Sequence, residues 1–192
     1  MKAYLFLMTL LAARPLPAQL RTVQAPTANG AVEGVVSADN QVRTFKGIPF
    51  AAPPVGPLRW RAPQPAASWT GVRKAVDYGP GCMQGPIFSD MIFHDDGPSE
   101  DCLYLNLWMP EAAVAGKPPG EVRLPVLVWI YGGGFQAGGS SEPRQDAGNL
   151  SKKGVLVGAH ELPPGPSSTS SGATCARTCI CRTLTLAVTV SS

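Results

Sequence analysis

The sequence predicts an α/β chain that opens with an antiparallel meander and continues into the first strands of a parallel sheet. Three observations carry this reading. Residues 20–46 alternate apolar and polar around the turn pairs Asn29-Gly30 and Asp39-Asn40. Residues 124–131 are almost wholly apolar, the pattern of a strand covered on both faces. That run passes into IYGGGFQAGG, Ile130 to Gly139. Glycine is costly to order on folding, so such a cluster means that the backbone itself is in use.

The elements follow in order. The N-terminus, MKAYLFLMTLLAARPLPAQ, places Lys2 before an apolar stretch over residues 3–13 and small residues at Pro17 and Ala18. Charge, apolar core and small-residue exit are the layout of a secretory signal over residues 1–18. The apolar stretch is too short to span a bilayer; the alternative is a buried N-terminal helix. Export predicts a secreted or periplasmic protein that meets a membrane only in transit and is permitted disulfides. Residues 20–46 form the meander. Residues 47–69, GIPFAAPPVGPLRWRAPQPAASW, hold too many prolines for a helix or a central strand, so they read as ordered coil pinned by Phe50, Trp60 and Trp69. Residues 103–109 alternate as a strand, 146–153 suit a short helix, and 154–157 begin another buried strand.

From about Pro163 the character changes to a Ser/Thr-rich stretch with three of the five cysteines. The domain reading is a signal over 1–18, a folded part over 19–157 and a tail over 158–192. A length of 192 residues suits one domain with a real core. The net charge is +3 and the basic residues are scattered, with no run to track a nucleic-acid backbone, which argues against a nucleic-acid partner.

The glycine cluster has three possible uses. A phosphate-cradling P-loop needs Gly-Lys-Ser/Thr after its spacer, and no lysine follows here. Gly132, Gly134 and Ala137 satisfy the G-x-G-x-x-[G/A] dinucleotide spacing. That motif must open a helix, however, and Gly138, Gly139 and Pro143 would break one. An oxyanion hole fits better: acyl transfer creates an alkoxide that needs preorganised N–H donors about 3 Å away. Consecutive glycines can turn two amides into one cavity with no Cβ in the way.

Three blocks, taken in order, resemble the type B carboxylesterase family, which includes the cholinesterases. They are FKGIPFAAPPVGPLRWRAP, SEDCLYLNLW from Ser99 to Trp108, and LPVLVWIYGGGF. The resemblance implies an incomplete α/β-hydrolase fold, its N-terminal portion only. It also implies serine-dependent hydrolysis of small-molecule carboxylic esters without cofactor or metal. It assigns Gly133 and Gly134 as oxyanion donors, a disulfide between Cys82 and Cys102, and an ion pair between Arg59 and Glu100. Two free buried thiols are the alternative for the cysteines. Cholinesterases carry a tryptophan in the disulfide loop to bind a quaternary ammonium. Residues 83–101 contain none, only Phe88 and Phe93, so a broader carboxylester range is expected.

The rest of the machinery is absent from these residues. No G-x-S-x-G elbow occurs, and Ser140 and Ser141 lie too close to the glycine loop to serve as one. The two histidines, His94 and His160, match no catalytic position of the family. His94-Asp95-Asp96 are adjacent and read as a solvated loop rather than a metal cluster. Cys175, Cys179 and Cys181 lack a second ligand pair.

The tail has a specific explanation. HELPPGP begins at His160, where the family continues into a segment like Asn-Tyr-Arg-Leu-Gly. Codons CAT GAA CTA CCG CCT GGG C encode the former. Read one nucleotide later they encode Met-Asn-Tyr-Arg-Leu-Gly. A frame change near Gly158, in the gene or in its reading, therefore accounts for the tail; a genuine Ser/Thr-rich tail is the alternative. A Leu162 codon that does not end in TA would sink the match. Three readings stand: an esterase portion inactive by itself, a non-catalytic binding or adhesion relative, and an unstable product with unpaired strand edges.

Overall fold

The computed structural model describes residues 20–118, 121–134 and 136–162. The signal expected over residues 1–18, the tail beyond Leu162 and its cysteines 175, 179 and 181 lie outside the described residues.

The meander forms as β1 (Thr22–Thr27), β2 (Gly30–Val36) and β3 (Val42–Pro49). Thr27 faces Gly30 across the first hairpin, so its turn is Ala28-Asn29 rather than Asn29-Gly30. Gly30 is required for another reason. Its φ is +146°, and the indole of Trp69 lies 2.5 Å from where a Cβ would project. Trp69 Nε1 donates to the Ala31 carbonyl at 2.8 Å, which pins the coil to the meander. Phe50, half-buried, packs against the core on the same coil. Trp60 does not pin it: the ring is 75% exposed, on a residue with φ +60° just past a 3₁₀ turn over Gly56–Leu58. That backbone turn aims the side chain into solvent.

The following elements are β4 (Val72–Lys74), β5 (Gly81–Cys82), β6 (Pro98–Ser99), β7 (Tyr104–Pro110) and α1 (Glu111–Val114). After them come β8 (Val126–Trp129), α2 (Gly148–Ser151) and β9 (Leu156–His160). The main sheet runs β1-β2-β3-β7-β9-β8, with β4 parallel beside β2. β3, β7 and β9 pair antiparallel, whereas β8 and β9 are parallel. The pleat of β7 divides the core. Leu105 and Leu107 join Val32, Phe45, Ile48 and Leu156 on one face. Trp108 joins Val42, Val157 and Ala159 on the other. Glu111, buried at the end of β7, accepts from Arg21 and Arg43, and these bonds, that from Arg43 foremost, hold its carboxyl below the usual range.

Two further sequence expectations are corrected. The apolar run over 124–131 shortens to β8 and is not covered on both faces. Among the described residues it pairs only with β9 at the sheet's edge, leaving Val126, Trp129 and Ile130 exposed. The helix expected over 146–153 is only α2, preceded by a 3₁₀ turn over Pro143–Gln145. Asp146, bonded to the Gly148 amide, breaks the path between them. The buried strand that begins over 154–157 is β9, which runs on to His160, where small Gly158 and Ala159 let it pack closely against β7.

Candidate active site

Parallel pairing of β8 and β9 delivers the C-terminal ends of both strands to the same edge of the sheet. The glycine loop leaves one and Glu161 follows the other. Within the loop, Gly133 has φ +139° and Gly134 φ +62°, conformations that favour glycine. The Gly133 carbonyl accepts from the amides of Gln136 at 3.0 Å and Ala137 at 3.3 Å, curling the loop back on itself. A Cβ at Gly133 would overlap the Ala137 carbonyl oxygen, so no side chain fits there. At Gly132 and Gly134 the same construction meets open space. Among the described residues, neither the Gly133 nor the Gly134 amide is donated to an acceptor. The loop thus has a closed inner turn and an open outer face lined by backbone.

A buried polar cluster stands behind it. The Ser140 amide donates to Glu161 Oε1 at 2.6 Å, and the Ser140 hydroxyl donates to the same oxygen. Asn106 Nδ2 donates to Ser140 Oγ at 2.6 Å, while Asn106 Oδ1 accepts from the Gly47 amide at 2.9 Å. Gly47 lies in the irregularity of β3 between Phe45 and Ile48, so Asn106 satisfies an amide that the bulge removes from the ladder. Tyr131 Oη donates to the Leu162 carbonyl at 2.8 Å and accepts from the Leu162 amide at 2.9 Å. Burial drives the Tyr131 hydroxyl well above its ordinary range. Glu161 is 2% exposed, and burial pushes its carboxyl up to about 7 despite the bonds from Ser140; the charge of Asp95 adds to the rise. Ser140 is therefore enclosed and committed to Glu161, not presented as a nucleophile.

His160 is 0% exposed and neither ring nitrogen has a partner among the described residues. It meets Phe50 edge-on at 5.2 Å, and burial lowers its pKa to about 4. This is a site shaped for an apolar side chain.

The structure joins Cys82 to Cys102, both buried against Ala51 and Leu103. Arg59 contacts Glu100, but both side chains are largely exposed, so the pair contributes little. His94, Asp95 and Asp96 do not converge: Asp95 accepts from Ser141 Oγ and from the Gly97 amide. Among the described residues no three His, Cys, Asp or Glu side chains gather as a metal site.

Sequence reasoning missed Asn106, Glu161 and Gln84, whose side chain binds Gly138. Only Asn106 left a signal, as the polar residue inside the apolar strand of SEDCLYLNLW. Asn106→Leu is expected to cost about 2 kcal/mol in urea denaturation, because it strands the Gly47 amide and removes the bond that the Ser140 hydroxyl accepts. An unchanged midpoint would count against this bridging role.

The sequence pattern of the Carboxylesterase family matches residues 20–159. Fumonisin B1 esterase of Sphingopyxis macrogoltabida is 47% identical over 131 residues, covering 68% of this chain and 22% of that protein. Para-nitrobenzyl esterase of Bacillus subtilis (strain 168) is 39% identical over 132 residues, covering 68% of this chain and 25% of the relative. Among solved structures, a PNB esterase superposes with a TM-score of 0.64 at 36% identity, over 77% of this chain and 30% of that one. The chain thus spans less than a third of the length of these proteins, and its sheet is the front part of an incomplete α/β-hydrolase fold. With the pattern matching well over half its length, the chain belongs to the carboxylesterase family.

Proposed function

We propose that this chain is the N-terminal portion of an exported carboxylic ester hydrolase and supplies half of its site. The observation that carries this reading is the glycine loop: two amides, Gly133 and Gly134, with no acceptor among the described residues, in left-handed backbone beside an open face, at the end of a parallel strand. Those amides would hold the oxyanion. In the complete site a serine oxygen attacks the ester carbonyl carbon and a histidine takes its proton. The same histidine returns the proton to the departing alcohol, and water then releases the acid. The oxyanion donors act throughout by meeting charge as it develops. The substrate is a small-molecule carboxylic ester, and the absence of tryptophan from residues 83–101 favours a range broader than choline esters.

The 192 residues contain no G-x-S-x-G, so by themselves they do not turn over esters by this route. A frame change near Gly158 explains why. The family pattern stops at residue 159, and the next residue, His160, sits buried with neither ring nitrogen partnered among the described residues. Export by residues 1–18 accords with the Cys82–Cys102 disulfide.

One experiment tests both halves. The purified chain and the protein translated from the restored frame are assayed on a p-nitrophenyl ester, with and without a serine-directed phosphonate. The expected result is phosphonate-sensitive turnover by the restored protein alone. Phosphonate-sensitive turnover by the 192-residue chain would refute its inactivity. A restored protein that lacks G-x-S-x-G, or that leaves the ester intact, would refute the hydrolase.

A further inference from the structure

Gln84 is the second residue after Cys82, in the segment that the disulfide closes. Its side-chain amide reaches across to the glycine loop and makes two bonds to one residue. Gln84 Nε2 donates to the Gly138 carbonyl at 2.8 Å, and the Gly138 amide donates to Gln84 Oε1 at 2.6 Å. The pairing copies one rung of a β-ladder, but with a side chain as the second strand.

The direction of that rung matters. A trans peptide points its N–H and C=O to opposite sides. The Gly138 N–H belongs to the Ala137–Gly138 peptide, so turning it toward Gln84 turns the Ala137 carbonyl away, toward Gly133. There the Ala137 oxygen occupies the space that a Gly133 Cβ would need. Gly138 has no freedom on its other side: φ is +133°, and a Cβ would meet the Tyr131 ring at 2.5 Å and the Gly132 carbonyl at 2.7 Å. Gln84 therefore sets one peptide plane, and that plane packs directly on Gly133.

We propose that Gln84 is a positioning residue for the oxyanion loop, fixing the Ala137–Gly138 peptide and through it the Gly133 and Gly134 amides. The inference rests on the role given to those two amides above. Neighbouring contacts hold the same two segments together. Ser141 Oγ donates to Asp95, the His94 amide donates to the Ser141 carbonyl at 3.3 Å, and Arg144 reaches Asp90 at 3.0 Å. Phe93 packs beside Gly139, but among the described residues of this segment Gln84 alone hydrogen-bonds to the return leg of the glycine turn itself. The disulfide anchors the residue from which Gln84 reaches out, so the cross-link and the clamp form one support.

The test uses the chain labelled with ¹⁵N-glycine, comparing amide shifts and hydrogen exchange in wild type, Gln84→Met and Gln84→Glu. Methionine keeps the length and loses both bonds. Glutamate keeps the acceptor for the Gly138 amide and loses the donor. In Gln84→Met, the Gly138 amide is expected to exchange at least tenfold faster, and the Gly133 and Gly134 amide signals are expected to shift with it. Gly34 and Gly47, in the meander, should be unchanged. In Gln84→Glu, Gly138 should keep its protection and Gly133 and Gly134 should move less. The proposal is overturned if Gly138 alone responds, if no glycine responds, or if all glycines respond together as in general destabilisation. No turnover enters this readout. Failure of the restored protein to cleave esters leaves the clamp standing, and unmoved Gly133 and Gly134 sink the clamp whatever that protein cleaves.

Discussion

Glu161→Gln is expected to stabilise the chain above pH 7 by about 3 kcal/mol and to leave it nearly unchanged at pH 4.5. Burial beside Ser140, Tyr131 and Asp95 raises the folded carboxyl from 4.5 to about 7. The unfolded chain therefore loses this proton at lower pH than the folded chain. Stability contributed by the protonated group is complete below 4.5 and is lost as pH rises through about 7. Glutamine keeps an oxygen for the Ser140 amide and carries no charge to desolvate. The opposite limb belongs to His160, which faces Phe50 and whose folded pKa falls from 6.5 to about 4. The unfolded chain gains that proton first, so stability present above 6.5 is lost as pH falls toward 4. His160→Met should abolish that acid limb and add stability at every pH by removing two unpartnered ring nitrogens. Wild type should then show greatest stability between about pH 4.5 and 6.5, where the two limbs meet. Urea denaturation of the three proteins from pH 4 to 8 measures this. Parallel curves for wild type and Glu161→Gln would show that Glu161 ionises freely in the fold.

Breaking the cross-link should cost a similar amount. The double replacement Cys82→Ala and Cys102→Ala is expected to lose about 3 kcal/mol, the chain-entropy value for a loop of this size. Both sulfurs are buried with Ala51 and Leu103, so alanine introduces no new polar group. The loss should appear equally in wild type treated with reductant, which keeps the sulfur atoms in place. If the reduced chain unfolds at the same urea concentration as the oxidised one, the disulfide supplies no stability. If the alanine variant falls well beyond the reduced protein, the excess reports the cavity left by the two sulfurs.

The limits of the sequence reading follow from the range of the forces concerned. The meander was legible because alternation and turn chemistry act over a few residues. Even there, Gly30 was misassigned: its need arises from Trp69, far along the chain. The run into β8 was legible as a strand, but its cover was not, because cover depends on which strands stand beside it. Trp60 and Trp69 look alike in sequence, and only backbone direction makes one exposed and the other a pin. In the sequence, His160 and Glu161 stand at the start of the tail, HELPPGP, with nothing to mark them as buried. Their burial, and so their titration, comes from β9 entering the sheet between β7 and β8.

By itself the sequence determined the family blocks, the loop of glycines and the lack of a serine elbow, all of which are local and carried by residue type. The tertiary structure alone decided how that loop is held. Gln84 and Asn106, from distant segments, reach Gly138 in the loop and Ser140 next to it through hydrogen bonds whose partners no spacing rule connects. A polar contact of this kind acts over about 3 Å in space and leaves no period along the chain.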